Sequence, residues 1–144
     1  MSKSNKKGFT IVELLVVIVV IGILATITIV SLSGVTNKAN TNADLATASS
    51  IRTAAMVVYT KENKYPTESA DPLGALTAGD AKLTLPSGAT LSNAKPTGKL
   101  TFSYRVASSG KGICIGYWDS TLSTPAAVFI TDGTATAASD GTCS

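Results

Sequence analysis

The 144 residues contain no histidine. That removes Ser-His-Asp and Cys-His nucleophilic catalysis, imidazole general-base chemistry and every zinc site that needs an imidazole ligand. Few side chains remain that could do chemistry. Glu13 is the single charge among positions 9–30, FTIVELLVVIVVIGILATITIV, and Cys114 and Cys143 are the only thiols. Asp119, Asp132 and Asp140 carry oxygens suited to calcium, but without EF-hand spacing they read more simply as solvated loop residues. The sequence has no glycine-rich phosphate loop, no Cys-x-x-Cys and no carboxylate pair of defined spacing. The expectation is a protein that is not an enzyme, with no catalytic residue, cofactor or metal site.

A carboxylate alone in an apolar run needs an element to hold it. At about 1.5 Å per residue, positions 9–30 make a helix of roughly 33 Å, enough to cross a hydrocarbon core of about 30 Å. Lys3, Lys6 and Lys7 precede it in MSKSNKKG with no acid, which places the N-terminus in the cytoplasm and the rest of the chain outside. A removed secretory signal has the same basic-then-apolar order. Against it, the run is longer than an ordinary signal core and no A-x-A site follows: the chain reads Leu24-Ala25-Thr26-Ile27, then Val30-Ser31-Leu32-Ser33-Gly34. Glu13 lies in the first helical turn, where the macrodipole and headgroup water favour a negative charge. An unpaired acid within hydrocarbon still costs on the order of a few kcal/mol.

Residues 7–25, KGFTIVELLVVIVVIGILA, resemble the N-terminal signature of type IV pilins, type II secretion pseudopilins and competence pilins. The resemblance implies a leader, residues 1–8, cut after Gly8 by a prepilin peptidase that also methylates the new amine, here on Phe9. It gives Thr10 and Glu13 a part in assembly, with Glu13 meeting the terminal amine of a neighbouring subunit. That role suits a charge that is tolerable in an apolar bundle when paired and expensive when orphaned. Many members have a proline where this chain has Val30; here Gly22 and the β-branched run Thr26–Val30 are the weak helix formers.

Beyond the span, only Gly34 interrupts residues 31–64, and the first proline is Pro66. Leu45, Ala48, Ile51, Ala55 and Val58 recur at helical spacing, with Asn42, Asp44, Thr47, Arg52, Thr53 and Lys61 opposite. One helix over about residues 9–63 is the economical reading; two helices hinged near Ser31–Gly34 is the other. Tyr65-Pro66 closes it, a pair again similar to pilins. Residues 67–98 are a connector rich in turns, with room for one short strand or helix. Strand patterns follow at Leu100–Val106, Ile113–Tyr117 and Ala126–Thr131, the first two joined by the turn Ser108–Gly112. They predict an antiparallel meander of about three strands whose apolar face covers the helix, an α+β and pilin-like fold. The expected divisions are 1–8 leader, 9–30 transmembrane and polymerisation helix, 31–66 amphipathic half, and 67–144 connector and head.

An external domain with so thin a core gives its two cysteines meaning. A Cys114–Cys143 bond would staple the tail to the second strand run, and two buried free thiols are the alternative. In pilins a disulfide-bounded C-terminal loop commonly lies in the exposed variable region, and residues 119–142 are polar and turn-rich enough for that. The formal charge of +3 belongs to the leader: without its three lysines, 9 Lys plus Arg face 9 Asp plus Glu. Net charge thus gives no indication of DNA as a partner, which would need local clusters such as Lys95, Lys99, Arg105 and Lys111. The resemblance implies a pilus subunit for adhesion, motility or DNA uptake, held in the inner membrane, processed by the peptidase, delivered by an assembly platform and displayed on the surface as a homo-oligomeric filament. The alternatives are a pseudopilin and an unprocessed, membrane-anchored binding module.

Overall fold

The computed structural model describes residues 8–67, 72–124 and 126–144, so Lys3, Lys6 and Lys7 of the expected leader lie outside the described residues. The chain forms two compact units, Met1–Thr36 and Asn37–Ser144. Helix α1 spans Ile11–Glu62, with helical backbone throughout and no break at Gly34.

In the first unit every described side chain of α1 is exposed. Its large apolar side chains from Ile11 to Ile29 are all exposed, as are Leu32 and Val35. Polar groups within it are satisfied locally, as a helix in hydrocarbon requires. Thr26 Oγ1 donates to the Ile23 carbonyl at 2.7 Å, and Thr28 Oγ1 to that of Ala25 at 2.9 Å.

The second unit packs the rest of α1 on a sheet. After helix α2 (Pro72–Thr77) come β1 (Thr90–Ser92), β2 (Thr101–Val106), β3 (Ile113–Asp119) and β4 (Ala126–Thr131), in spatial order β1-β2-β3-β4. Strands β2 to β4 form the antiparallel meander, with Tyr104 opposite Ile115 and Ile115 opposite Ile130. The sheet gains a fourth strand that the sequence pattern did not predict, and this strand runs parallel to β2, Thr90 beside Thr101. Residues 93–100 bring the chain back beside β1. Leu100 turns through φ 57° and its carbonyl accepts the Thr90 amide at 2.9 Å. The connector therefore holds both a short helix and a short strand.

Ala48, Ile51 and Ala55 of α1 pack against Phe102, Tyr104, Ile113, Ile115 and Tyr117. The helical period was legible, but its buried face is phased differently at one end. Leu45 is 37% exposed while Asp44, expected on the solvent side, is 3% exposed. The cause lies in the polar ends of the sheet. Asp44 accepts the Leu100 amide at 3.4 Å, and Thr41 Oγ1 donates to Asp119 at 3.2 Å and accepts the Ser120 amide at 3.0 Å. Arg52, also expected opposite, reaches the Thr131 carbonyl at 3.2 Å. The helix ends in a left-handed Asn63 (φ 52°) whose amide donates to Tyr59 O at 2.8 Å. Tyr65 then folds back to stack on Tyr59, ring centroids 4.5 Å apart.

The other sheet face is covered by the C-terminal segment. Ala107, Cys114 and Ala135 form a small second cluster with Ala137 and Cys143. The segment makes its own hairpin, with reciprocal bonds between Thr136 and Ser144 at 2.7 and 2.9 Å. Gly116 is required beneath it, because a Cβ there would collide with Ser103 Oγ and lie 2.6 Å from the Phe129 ring.

Candidate processing and assembly site

Gly8, Phe9 and Thr10 precede the first turn of α1 in exposed, non-helical backbone. Thr10 and Glu13 are brought together. Glu13 Oε2 accepts the Thr10 amide at 2.9 Å and the Thr10 hydroxyl at 2.8 Å, while Thr10 Oγ1 accepts the Glu13 amide at 3.2 Å. This is a reciprocal capping box, Thr-x-x-Glu, that satisfies two of the otherwise unpaired donors at a helix start. The spacing was readable in the sequence as a helix-start signature, and the reading of Glu13 as an isolated charge passed over it. The carboxylate is held one turn from Phe9 at the mouth of the apolar helix, with its hydrogen-bonding capacity partly used.

The structure joins Cys114 to Cys143, Cα atoms 5.9 Å apart. Through this bond β3 holds the C-terminal hairpin against the outer sheet face. The three aspartates of the weak calcium signal do not converge, and among the described residues no group of three potential ligands forms. Each closes its own Asp-x-Thr turn: Asp119 accepts the Thr121 amide at 2.8 Å, Asp132 that of Thr134 at 3.0 Å and Asp140 that of Thr142 at 2.9 Å. Asp132 also accepts the Tyr65 hydroxyl at 2.7 Å, tying the end of α1 to the start of the C-terminal segment. Burial opposes its ionisation, but Tyr65, Thr134 and the Ala135 amide outweigh burial and hold the carboxyl below its ordinary value. Burial first, and then Asp132, pushes the Tyr65 hydroxyl well up. Of the basic residues considered for DNA, Lys95 donates to Ser139 O at 2.7 Å and Arg105 to Asn93 O at 2.8 Å, so two of the four already brace loops.

Residues 3–29 match the family described as the prokaryotic N-terminal methylation motif. The chain is 40% identical over 77 residues to the type IV narrow pilus major component PilA5 of Thermus thermophilus, covering 51% of this chain and 66% of that protein. It is 34% identical over 67 residues to the type II secretion system core protein G of Aeromonas hydrophila, covering 46% of this chain and 47% of the relative. The chain thus spans less than two thirds of each of these relatives, and no solved structure matches it. By its N-terminus the chain carries the prokaryotic N-terminal methylation motif, and its relatives are a type IV pilus component and a type II secretion core protein.

Proposed function

We propose that this chain is a type IV pilus subunit, structural rather than catalytic, cut between Gly8 and Phe9, methylated on Phe9 and polymerised through the apolar part of α1. The observation that carries the reading is the bare helix. An apolar surface this long, exposed at its described side chains, must be covered by lipid or by other copies, and it lies within a match to the methylation motif over residues 3–29. The inner membrane holds it before assembly, an assembly platform delivers it, and the surface filament is a homo-oligomer. Thr10 holds Glu13 until a cation at a neighbouring N-terminus takes over as its partner.

The disulfide-pinned hairpin supports a pilus over a pseudopilus, while the likeness to a type II secretion core protein favours the second reading. Electron microscopy of sheared cell surfaces separates long filaments from short ones. Glu13→Gln and Glu13→Ala leave export and the head fold unchanged and abolish filaments; normal filaments from either variant contradict the assembly role.

A further inference from the structure

The two cysteines are joined in the folded head, yet they stand in unlike surroundings. Cys114 lies on the middle strand of the meander, opposite Arg105 of β2 and Thr131 of β4, and is 1% exposed. What covers it is the C-terminal segment. The Thr136 carbonyl stands 3.7 Å from Cys114 Sγ, and Ala107, Ala135, Ala137 and Cys143 complete the small cluster around it. The fit is close: a Cβ on Gly112 would lie 2.7 Å from that of Ala135 and 2.9 Å from the Ala135 amide nitrogen. Cys143 sits on the covering hairpin itself, paired with Ala137 and half-buried between exposed Thr142 and Ser144.

Both cysteines belong to this outer cluster, apart from the core between α1 and the sheet. That core, and β3 with it, can therefore form while both thiols are reduced, and synthesis delivers Cys143 29 residues after Cys114. The sheet face then holds Cys114 in place for the segment that closes over it. A bulky group bonded to Cys114 Sγ would occupy the volume that Ala135, Thr136 and Ala137 fill in the closed head, and would hold the segment off. The same group on Cys143 travels with the hairpin, on a residue that keeps access to solvent.

We infer that the head is completed by thiol–disulfide exchange in a fixed order, with Cys143 the sulfur that takes up an external disulfide and Cys114 the resolving thiol. In the first step the Cys143 thiolate attacks one sulfur of a disulfide oxidant. The bond between Cys143 and that sulfur forms, the oxidant's own S–S bond breaks, and its other sulfur leaves as a thiolate. The hairpin then closes and the Cys114 thiolate attacks Cys143 Sγ: the Cys114–Cys143 bond forms and the oxidant's remaining sulfur leaves. The two cysteines together lose two electrons and two protons, and the oxidant takes up both, becoming two thiols. The reaction that supplies the finished head is thus a dithiol oxidation by a disulfide donor, chemistry at home outside the cytoplasm. That location rests on the proposed function; the order of the two sulfurs does not.

The test uses the full chain in detergent micelles, reduced, freed of reductant and mixed with oxidised glutathione. Samples quenched in acid at successive times are read by peptide mass spectrometry. Before the internal bond forms, glutathione should be found on Cys143 in about tenfold or greater excess over Cys114, because access governs the exchange. In concentrated urea, where the fold that distinguishes the two thiols is gone, both should be loaded alike. Where closure outruns trapping, single-cysteine variants give the same comparison: Cys114→Ser should accumulate the adduct at Cys143, and Cys143→Ser should react at Cys114 about tenfold more slowly. Equal loading in native buffer overturns the inference, as does glutathione mainly on Cys114. An excess on Cys143 that persists in urea overturns it too, since the fold would then not be its cause. The wild-type measurement involves no substitution, so the order is decided even if a variant does not fold.

Discussion

The two units of this chain solve the problem of polar groups in opposite ways. The first keeps its polar content small and local: a capping box at Thr10 and Glu13 and threonine hydroxyls returned to their own helix, with the described apolar side chains left uncovered. The second spreads its polar groups across the fold, Thr41 to Asp119, Arg52 to Thr131 and Tyr65 to Asp132, and uses them to dock segments far apart in sequence. The first unit can therefore change surroundings, lipid for protein, without losing an internal bond. The head cannot, because its bonds are its tertiary structure.

Perturbations of the head should consequently lower its stability, and those of the first unit should not. The largest effect is expected from the disulfide. Cys143→Ser, read by thermal unfolding of the head, should cost about 3–4 kcal/mol, the chain-entropy value for a closed loop of this length, and an unchanged midpoint would show that the hairpin holds without its staple. Gly116→Ala should follow at about 1–3 kcal/mol, since its Cβ must displace Ser103 or Phe129. Tyr65→Phe should cost about 1–2 kcal/mol by leaving Asp132 without its buried hydroxyl donor.

That last variant also sharpens the pH dependence. Asp132 is held below its ordinary value of 3.8, so the stability it lends is present above the unfolded value and lost as the pH falls through the folded one. The head should weaken below about pH 4, and Tyr65→Phe should flatten that slope in urea titrations at a series of pH values. Asp44 has the opposite sign: burial raises its carboxyl despite the Leu100 amide and Lys99, so its protonation favours the fold. The smallest effect on the head is expected from Thr10→Val. It removes a cap worth about 1 kcal/mol to the helix end and should leave the head midpoint unmoved; a shifted midpoint would couple the units and break the contrast.

The same contrast explains what was legible in the sequence. The apolar run from Phe9 needed only composition, because its described side chains are all exposed. The stripe Ala48, Ile51, Ala55 was readable from period alone, and strands β2 to β4 from alternation. Asp44 was misplaced because the period carries no information about a backbone amide, that of Leu100, at the far end of a loop. β1 escaped because three residues, Thr-Leu-Ser, make no pattern, and their strand exists only through pairing with β2. Tyr65 and Asp132 stood out as a helix-closing tyrosine and a loop acid, and only the fold joins them. Thr10 and Glu13 are the exception, a local motif that spacing alone discloses.

The central claim is that the first unit is a processed polymerisation helix. Mass spectrometry of the N-terminal peptide of the mature, surface-displayed protein tests it most directly. The account predicts a chain beginning at Phe9 with one methyl group on its amine. A mature chain retaining Met1 to Gly8, displayed at the surface, would contradict it and leave the apolar helix as a simple membrane anchor.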